Sequence, residues 1–375
     1  MYLLIKPASG SCNLRCSYCF YADEMVNREC RVRGIMKQET FDEIIRKAAE
    51  YIASPGCPDK SRTLSVGFQG GEPLLAGKDF FRHAVSFIGE NVPRNISVSL
   101  FVQTNGTLID EEWAAFLAKN GFLTGISLDG IPETHDKNRR TADGKGTYSA
   151  VIKACGLLKD AGAEFNILTV ITGETARSAR KIYTRFAGQG FTWQQYIPCI
   201  APLGGADTRW TLSAERYGTF LCTVFDLWYA DVTRGKQVSN REFENWIGIL
   251  AGVEPEDCGM RGICSAQYLI ESDGSVYPCD FYALDDCLLG NLTKDGFESI
   301  DEARKRLRFI EQSAELPEKC KSCSWLPLCR NGCRRNRGDD GVNRFCEAYR
   351  KLFPYAYPRM RQLAEALLRN GSVRR

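Results

Sequence analysis

Seventeen cysteines set against two histidines, His83 and His135, constrain this 375-residue chain more than any other feature. Eleven of the thiols fall into groups: Cys12-x3-Cys16-x2-Cys19; Cys258, Cys264 and Cys279, with Cys333 much later; and Cys320-x2-Cys323-x5-Cys329, with Cys346. A disulfide framework is a poor reading. The number is odd, the chain is long enough to bury its own core, and the start, MYLLIKPASGSCNLRC, lacks the basic flank and apolar stretch of an export signal. A cytoplasmic location is therefore expected, and grouped thiols in a reducing compartment point to metal. Zinc commonly mixes cysteine with histidine, so the scarcity of histidine leans toward iron–sulfur clusters. A pair of zinc knuckles stays open as a reading of the C-terminal groups.

Composition excludes other classes. Lys plus Arg number 49 and Asp plus Glu 46, a net charge of +3 that is too even for a nucleic-acid or membrane surface. No apolar run reaches the roughly 18 residues of a membrane span. Hydrophobic residues at 44% and charged residues at 25% are globular values, which excludes a disordered chain.

The first half alternates β-rich runs (2–6, 63–68, 96–104, 122–128, 164–172, 191–199) with helical stretches near 37–53, 77–90, 110–120, 147–161 and 174–188. Asp110 and Thr147 are the expected caps of two of these helices. Six strands alternating with helices imply parallel strands and right-handed crossovers, hence an open sheet or a partial barrel with functional groups at the strand C-terminal ends. Beyond about residue 205 the composition changes. Helical stretches (213–234, 240–250) lead into the cysteine-rich segment, which a helical tail follows. Residues 269–279 (LIESDGSVYPC) predict a β-hairpin with a two-residue type I′ turn at Asp273-Gly274.

The N-terminal group follows the first strand. Three thiolates on a four-iron cluster leave one iron free to bind something else, the condition for a catalytic cluster. CNLRCSYCFY resembles the cluster loop of the radical S-adenosylmethionine (SAM) enzymes, and Gln69-Gly70-Gly71-Glu72-Pro73 resembles that superfamily's SAM-amino stretch, where glycines permit close backbone approach. The C-terminal cysteines resemble the SPASM extension with its two auxiliary [4Fe–4S] clusters. By position, Cys258, Cys264, Cys279 and Cys333 match the ligands of the first, and Cys320, Cys323, Cys329 and Cys346 those of the second. The resemblance thus implies an α/β fold: a partial (β/α)6 TIM-like barrel over 1–235, a SPASM domain over 236–350 and a helical tail over 351–375. It also implies three [4Fe–4S] clusters plus SAM.

A narrower resemblance covers almost the whole chain. LLIKPASGSCNLRCSYCFYAD, FQGGEPLLAG, QTNGTLID, GISLDGIPETHDKNRR, LIESDGSVYPCDFY and YAYPR are similar to the anaerobic sulfatase-maturating enzymes, which oxidise a cysteine or serine in a sulfatase motif to Cα-formylglycine. The resemblance places Tyr18, Gly70, Gly71, Glu72, Ser127, Arg139 and Ile200 at SAM. It places Tyr21 and Gln69 near the peptide pocket, and Asp280, directly after Cys279, at the general base. The implied partners are an unfolded sulfatase carrying Cys/Ser-x-Pro/Ala-x-Arg and a reducing donor such as flavodoxin or ferredoxin, with no nucleic acid and no membrane. By residue type alone Arg139 would be a solvated charge, Ser127 a turn cap and Asp280 a turn residue. The stretch RNGCRRN and the 201–210 loop depart from the family pattern, which bears on substrate detail.

Two rivals remain at this level. A peptide maturase forming thioether or carbon–carbon crosslinks would use the same clusters; such maturases often carry a leader-recognition domain ahead of the cluster loop, and the eleven residues before Cys12 argue against that expectation. A zinc-stabilised module would use RNGCRRNRG as a nucleic-acid patch, which the even charge balance disfavours. The cysteines outside the three groups (Cys30, Cys57, Cys155, Cys199, Cys222 and Cys287) are expected to be ordinary small hydrophobes.

Overall fold

In a computed structural model, the described residues are 1–57, 59–203 and 208–369. Part of the 201–210 loop and the last residues of the tail thus lie outside them. Ten strands form among these residues: β1 (Tyr2–Ile5), β2 (Thr63–Phe68), β3 (Ser97–Thr104), β4 (Phe122–Ser127), β5 (Phe165–Ile171), β6 (Trp193–Pro198), β7 (Ser239–Asn240), β8 (Tyr268–Ile270), β9 (Ser275–Tyr277) and β10 (Gly290–Asn291). The chain divides into two compact units.

The first unit comprises Met1–Ser127, Asp136–Phe165 and Ala266–Phe309. Its strands run in the order β10-β9-β8-β1-β2-β3-β4. β1, β2, β3 and β4 are mutually parallel, with Leu4 opposite Gly67, Phe68 opposite Val102 and Thr104 opposite Ile126. The late strand β8 joins the other side of β1, also parallel, with Ile5 opposite Ile270. Helices Gln38–Ala53, Lys78–Asn91, Glu111–Lys119 and Tyr148–Asp160 occupy the predicted stretches between strands. Their apolar faces build an aromatic core: Phe68 lies 4.9 Å from Phe81, which lies 5.2 Å from Trp113, ring centre to ring centre.

Of the two expected caps, Asp110 accepts the Trp113 N–H at 2.8 Å, while Thr147 does not cap its helix. Asp136 Oδ1 accepts the Tyr148 N–H at 2.8 Å, freeing the Thr147 hydroxyl to donate to the Arg139 carbonyl at 3.0 Å. The hairpin also differs from expectation. Glu271 N–H bonds to Ser275 O and Gly274 N–H to Glu271 O, leaving a three-residue connection with only Gly274 left-handed (φ 85°). A type I′ turn needs positive φ at Asp273 as well. Here the Asp273 carboxylate instead accepts the Ser275 N–H at 3.0 Å, which fits a type I turn closed by glycine.

The second unit comprises Leu128–His135, Asn166–Ser265 and Ile310–Arg375. β5, β6 and β7 are parallel, with Ile171 opposite Pro198 and Trp193 opposite Ser239. Helices Ala214–Thr233 and Arg241–Leu250 pack on the long helix Cys346–Arg369, whose buried Ala348, Leu352, Ala356, Met360 and Ala364 recur every fourth residue. Trp246 meets Phe353 at 5.3 Å.

Candidate active site and cluster cysteines

Parallel strands carry their C-terminal ends to one edge, and the residue immediately beyond each end is polar: Lys6 after β1, Gln69 after β2, Asn105 after β3 and Glu271 after β8. Ser127, buried, closes β4. Ile200 follows β6 in the second unit and is half-buried.

The loop bearing Cys12, Cys16 and Cys19 leaves the β1 end and is strapped to 138–141. Arg15 N–H bonds to Arg140 O at 2.7 Å, Ser17 N–H to Asn138 O at 3.0 Å, and the Ser17 hydroxyl to Asn138 Oδ1 at 2.9 Å. Donors approach the sulfurs: Leu14 N–H at 3.4 Å and Asn105 Nδ2 at 3.9 Å on Cys12, and Ala22 N–H at 3.4 Å on Cys19, which caps helix Phe20–Val26. Such donors are what thiolate ligands of an iron–sulfur cluster require. Burial raises the Cys12 thiol above its usual range, so the sulfur is neutral until a metal draws off its proton. The strap also buries Arg139, with its guanidinium carbon 5.4 Å from the Tyr18 ring centre, which overturns the expectation of a solvated charge.

Gln69–Glu72 lies directly against this loop. Gly71 N–H bonds to Ser9 O at 2.9 Å and Glu72 N–H to Ser11 O at 2.8 Å. A Cβ on Gly71 would sit 2.1 Å from Ser11 O, and one on Gly70 (φ 126°) 2.8 Å from Ser9 O, so neither tolerates a side chain. Glu72 is fully buried and accepts from Leu74 N–H, the Thr104 hydroxyl and Asn105 N–H at 3.0, 2.8 and 2.8 Å. Its side chain is spent on the protein, so the stretch offers a ligand mainly backbone.

Asp280 opens the short turn Asp280–Tyr282 that follows the hairpin, and Phe281 meets Phe20 edge to face at 4.8 Å. That contact brings the Cys19–Phe20 end of the loop beside Cys279–Asp280. Asp280 Oδ1 pairs with Lys6 Nζ at 2.6 Å, and Oδ2 accepts from Gln69 Nε2 at 2.9 Å. Lys6 is fully buried, with Nζ 3.2 Å from the centre of the buried Tyr21 ring. The Tyr21 hydroxyl donates to Glu271 and accepts from Arg28 Nη2 at 3.0 Å, while Arg28 Nη1 pairs with Glu271 at 2.9 Å. Burial would raise the Glu271 carboxyl, but Lys6, Arg28, Tyr21 and Ser9 together hold it below the usual range. Tyr21 therefore faces Lys6 with its ring and spends its hydroxyl on Glu271. Lys6, Arg28, Asn105 and Glu271 escaped the sequence reading. Lys6 read as the last strand residue, and its pairing with Glu271's strand depends on the β1–β8 register.

In the second unit, Cys320, Cys323, Cys329 and Cys346 line one cavity of about 340 Å³ with Trp325, Asn331 and Asn343. Burial pushes the Cys329 thiol up to about 12. Four mutually close, desolvated thiols with room between them fit a fully ligated four-iron cluster. Cys258 and Cys264 lie near Cys333, which burial also pushes up to about 12 and whose Cβ is 3.4 Å from where a Gly259 Cβ would stand. Cys279 belongs to the first unit. The arginines of RNGCRRNRG are engaged: Arg337 donates to the carbonyls of Ser313, Gly262 and Gly332, Arg335 to Ala201 O, Arg334 to Gln312 and Arg330 to Glu254. A stretch that cross-links its own backbone is not a free nucleic-acid patch.

The radical SAM superfamily model matches residues 7–186, and the SPASM iron–sulfur cluster-binding domain matches 261–324. A cysteine-type anaerobic sulfatase-maturating enzyme of Clostridium novyi is 41% identical over 374 residues, covering 97% of each chain. A serine-type counterpart of Klebsiella pneumoniae is 30% identical, covering 94% of this chain and 86% of its own. The solved structure of native anSMEcpe with bound AdoMet superposes with a TM-score of 0.90 at 40% identity, covering 97% of this chain and 99% of that one. An α/β radical SAM core with a SPASM segment, the cysteine loop at a parallel-strand end and these full-length likenesses agree: the chain belongs to the radical SAM superfamily, and within it to the anaerobic sulfatase-maturating enzymes.

Proposed function

We propose that the chain oxidises a cysteine or serine of a sulfatase motif, Cys/Ser-x-Pro/Ala-x-Arg, to Cα-formylglycine, on an unfolded polypeptide and under anaerobic conditions in the cytoplasm. Greater identity to the cysteine-type than to the serine-type relative (41% against 30%) favours cysteine as the residue oxidised. When bound, SAM and the cluster held by Cys12, Cys16 and Cys19 supply a 5′-deoxyadenosyl radical that takes a hydrogen atom from the substrate Cβ. Tyr18, Gly70, Gly71, Glu72, Ser127, Arg139 and Ile200 are proposed to hold SAM, the glycines by backbone and Arg139 by charge. The eight later cysteines named above are proposed to hold two fully ligated auxiliary clusters that accept an electron, with a flavodoxin or ferredoxin as external donor. We keep the division into a core (1–235), SPASM domain (236–350) and tail (351–375) as part of this reading.

The carrying observation is the Asp280 carboxylate, held on both oxygens and adjoining Cys279. After hydrogen abstraction the Cβ radical still carries S–H or O–H. Loss of one electron, which a bound auxiliary cluster would accept, and of that proton to Asp280 gives a C=S or C=O double bond. For cysteine, water then replaces sulfur and hydrogen sulfide leaves. Gln69 serves this end of the pocket by orienting Asp280, and the buried Tyr21 backs it from behind Lys6. Asp280→Asn tests the reading in anaerobically reconstituted enzyme with a Cys-x-Pro-x-Arg peptide. 5′-Deoxyadenosine should continue to form while formylglycine drops about 100-fold, the scale of a lost general base. Full product yield with intact iron content would refute it.

A further inference from the structure

A lysine buried to zero exposure is unusual, and what surrounds Lys6 is the Asp280 carboxylate, the Tyr21 ring and the nearby Glu271 carboxylate. Among the described residues Nζ makes no well-directed hydrogen bond. It has the Asp280 carboxylate at 2.6 Å and the Tyr21 ring face at 3.2 Å. Its backbone is fixed as well, with Lys6 N–H bonded to Ile270 O at 2.8 Å across the β1–β8 pairing. Lys6, Arg28, Glu271 and Asp280 form a balanced set of two cations and two carboxylates. The side chains of Lys6, Arg28 and Glu271 are shut off from solvent, whereas that of Asp280 is 13% exposed. The set therefore opens to the outside at a single carboxylate. Purely structural ion pairing would give no reason for that asymmetry.

We propose that Lys6 is a positioning residue for the oxidation. Its ammonium fixes Oδ1 of Asp280 while Gln69 fixes Oδ2, so the carboxylate meets the substrate thiol or hydroxyl in one orientation. Lys6 itself never touches the peptide. Tyr21 acts one step further back, seating the ammonium on its ring while its hydroxyl and Arg28 anchor Glu271. The inference rests on Asp280 as the base, and the experiment separates the two claims.

Wild type, K6M, D280N and K6M/D280N are reconstituted anaerobically. Iron content, 5′-deoxyadenosine and formylglycine are then measured with the same peptide. K6M is expected to keep its iron, its peptide KM and its 5′-deoxyadenosine formation while kcat for formylglycine falls about tenfold, the cost of a loosely held base. In the D280N background K6M should remove nothing further, a non-additivity that general loosening of the fold would not produce. If K6M sheds iron because a carboxylate is left unpaired, the double variant restores the charge balance, and its comparison with D280N decides. Wild-type coupling of formylglycine to 5′-deoxyadenosine in K6M, with D280N collapsed, overturns the role of Lys6 alone. So does a double variant at least tenfold below D280N. Full yield in D280N overturns the base assignment beneath it.

Discussion

The two cysteine sites that can each be followed within one unit are built on opposite plans. The N-terminal loop has three thiols, hangs from the end of a parallel strand and is surrounded by charged side chains: Lys6, Arg28, Glu271, Asp280 and the buried Arg139. The set at Cys320, Cys323, Cys329 and Cys346 has four thiols around a cavity of about 340 Å³, three of them on or beside the single-turn helices Glu318–Lys321 and Leu326–Cys329 and the fourth at the start of the long helix Cys346–Arg369. A regular sheet can present a reactive site because its strand ends are positioned before any metal arrives. Thiols borne by single-turn helices depend more on the metal to hold them together.

The largest effect should come from breaking each site in turn. Cys12→Ala should lose about four of about twelve irons and all 5′-deoxyadenosine formation, with the melting temperature lowered by only about 2 °C, since the sheet persists. Cys329→Ala should lose a similar amount of iron but melt at least about 8 °C lower. Iron analysis and anaerobic calorimetry check both, and equal melting losses would erase the contrast.

A smaller effect comes from protons. Burial raises the Glu72 carboxyl to about 7, whereas the unfolded chain titrates it near about 4.3. Between those values the folded chain holds the extra proton, so this contribution is complete below the lower value and disappears as pH rises through the upper one. The span amounts to about 4 kcal/mol at most. Melting temperature should thus fall between about pH 4.5 and 7 in wild type and more shallowly in Glu72→Gln, read by anaerobic calorimetry. Arginine ties in the C-terminal set do not titrate there, so hydrogen exchange should show the pH effect around β2 and β3 and not around 320–346. Smallest is Arg139→Lys, which keeps the charge but loses the guanidinium over the Tyr18 ring. SAM affinity should weaken by about fivefold in anaerobic titration calorimetry, with the clusters intact.

The same contrast governs what the sequence revealed. Thiol spacing is local, so all eleven grouped cysteines stood out, and the βα alternation located the six strands of the first half to within a residue or two, while β7 and β10, two residues each, went unseen. Burial and pairing are not local. By residue type alone Arg139 is a surface charge, because nothing in HDKNRR announces that the cysteine loop bonds across it; only the family resemblance pointed it at SAM. Lys6 and Glu271 are 265 positions apart and become neighbours only through the β1–β8 register. Asp273-Gly274 showed where the chain turns but not how, since the choice between two and three connecting residues lay in the Asp273 side chain.

Between Cys329 and Cys333, Arg330, Asn331 and Gly332 all take left-handed backbone conformations (φ 48°, 63° and 59°). Three such steps in a row act as a fixed corkscrew that turns Cys329 toward the cavity it shares with Cys320, Cys323 and Cys346, and Cys333 toward Cys258 and Cys264. Evolution can exchange the side chains on that screw, but adding or deleting a residue would turn one sulfur away from its partners, so its length is a more durable signature than its letters.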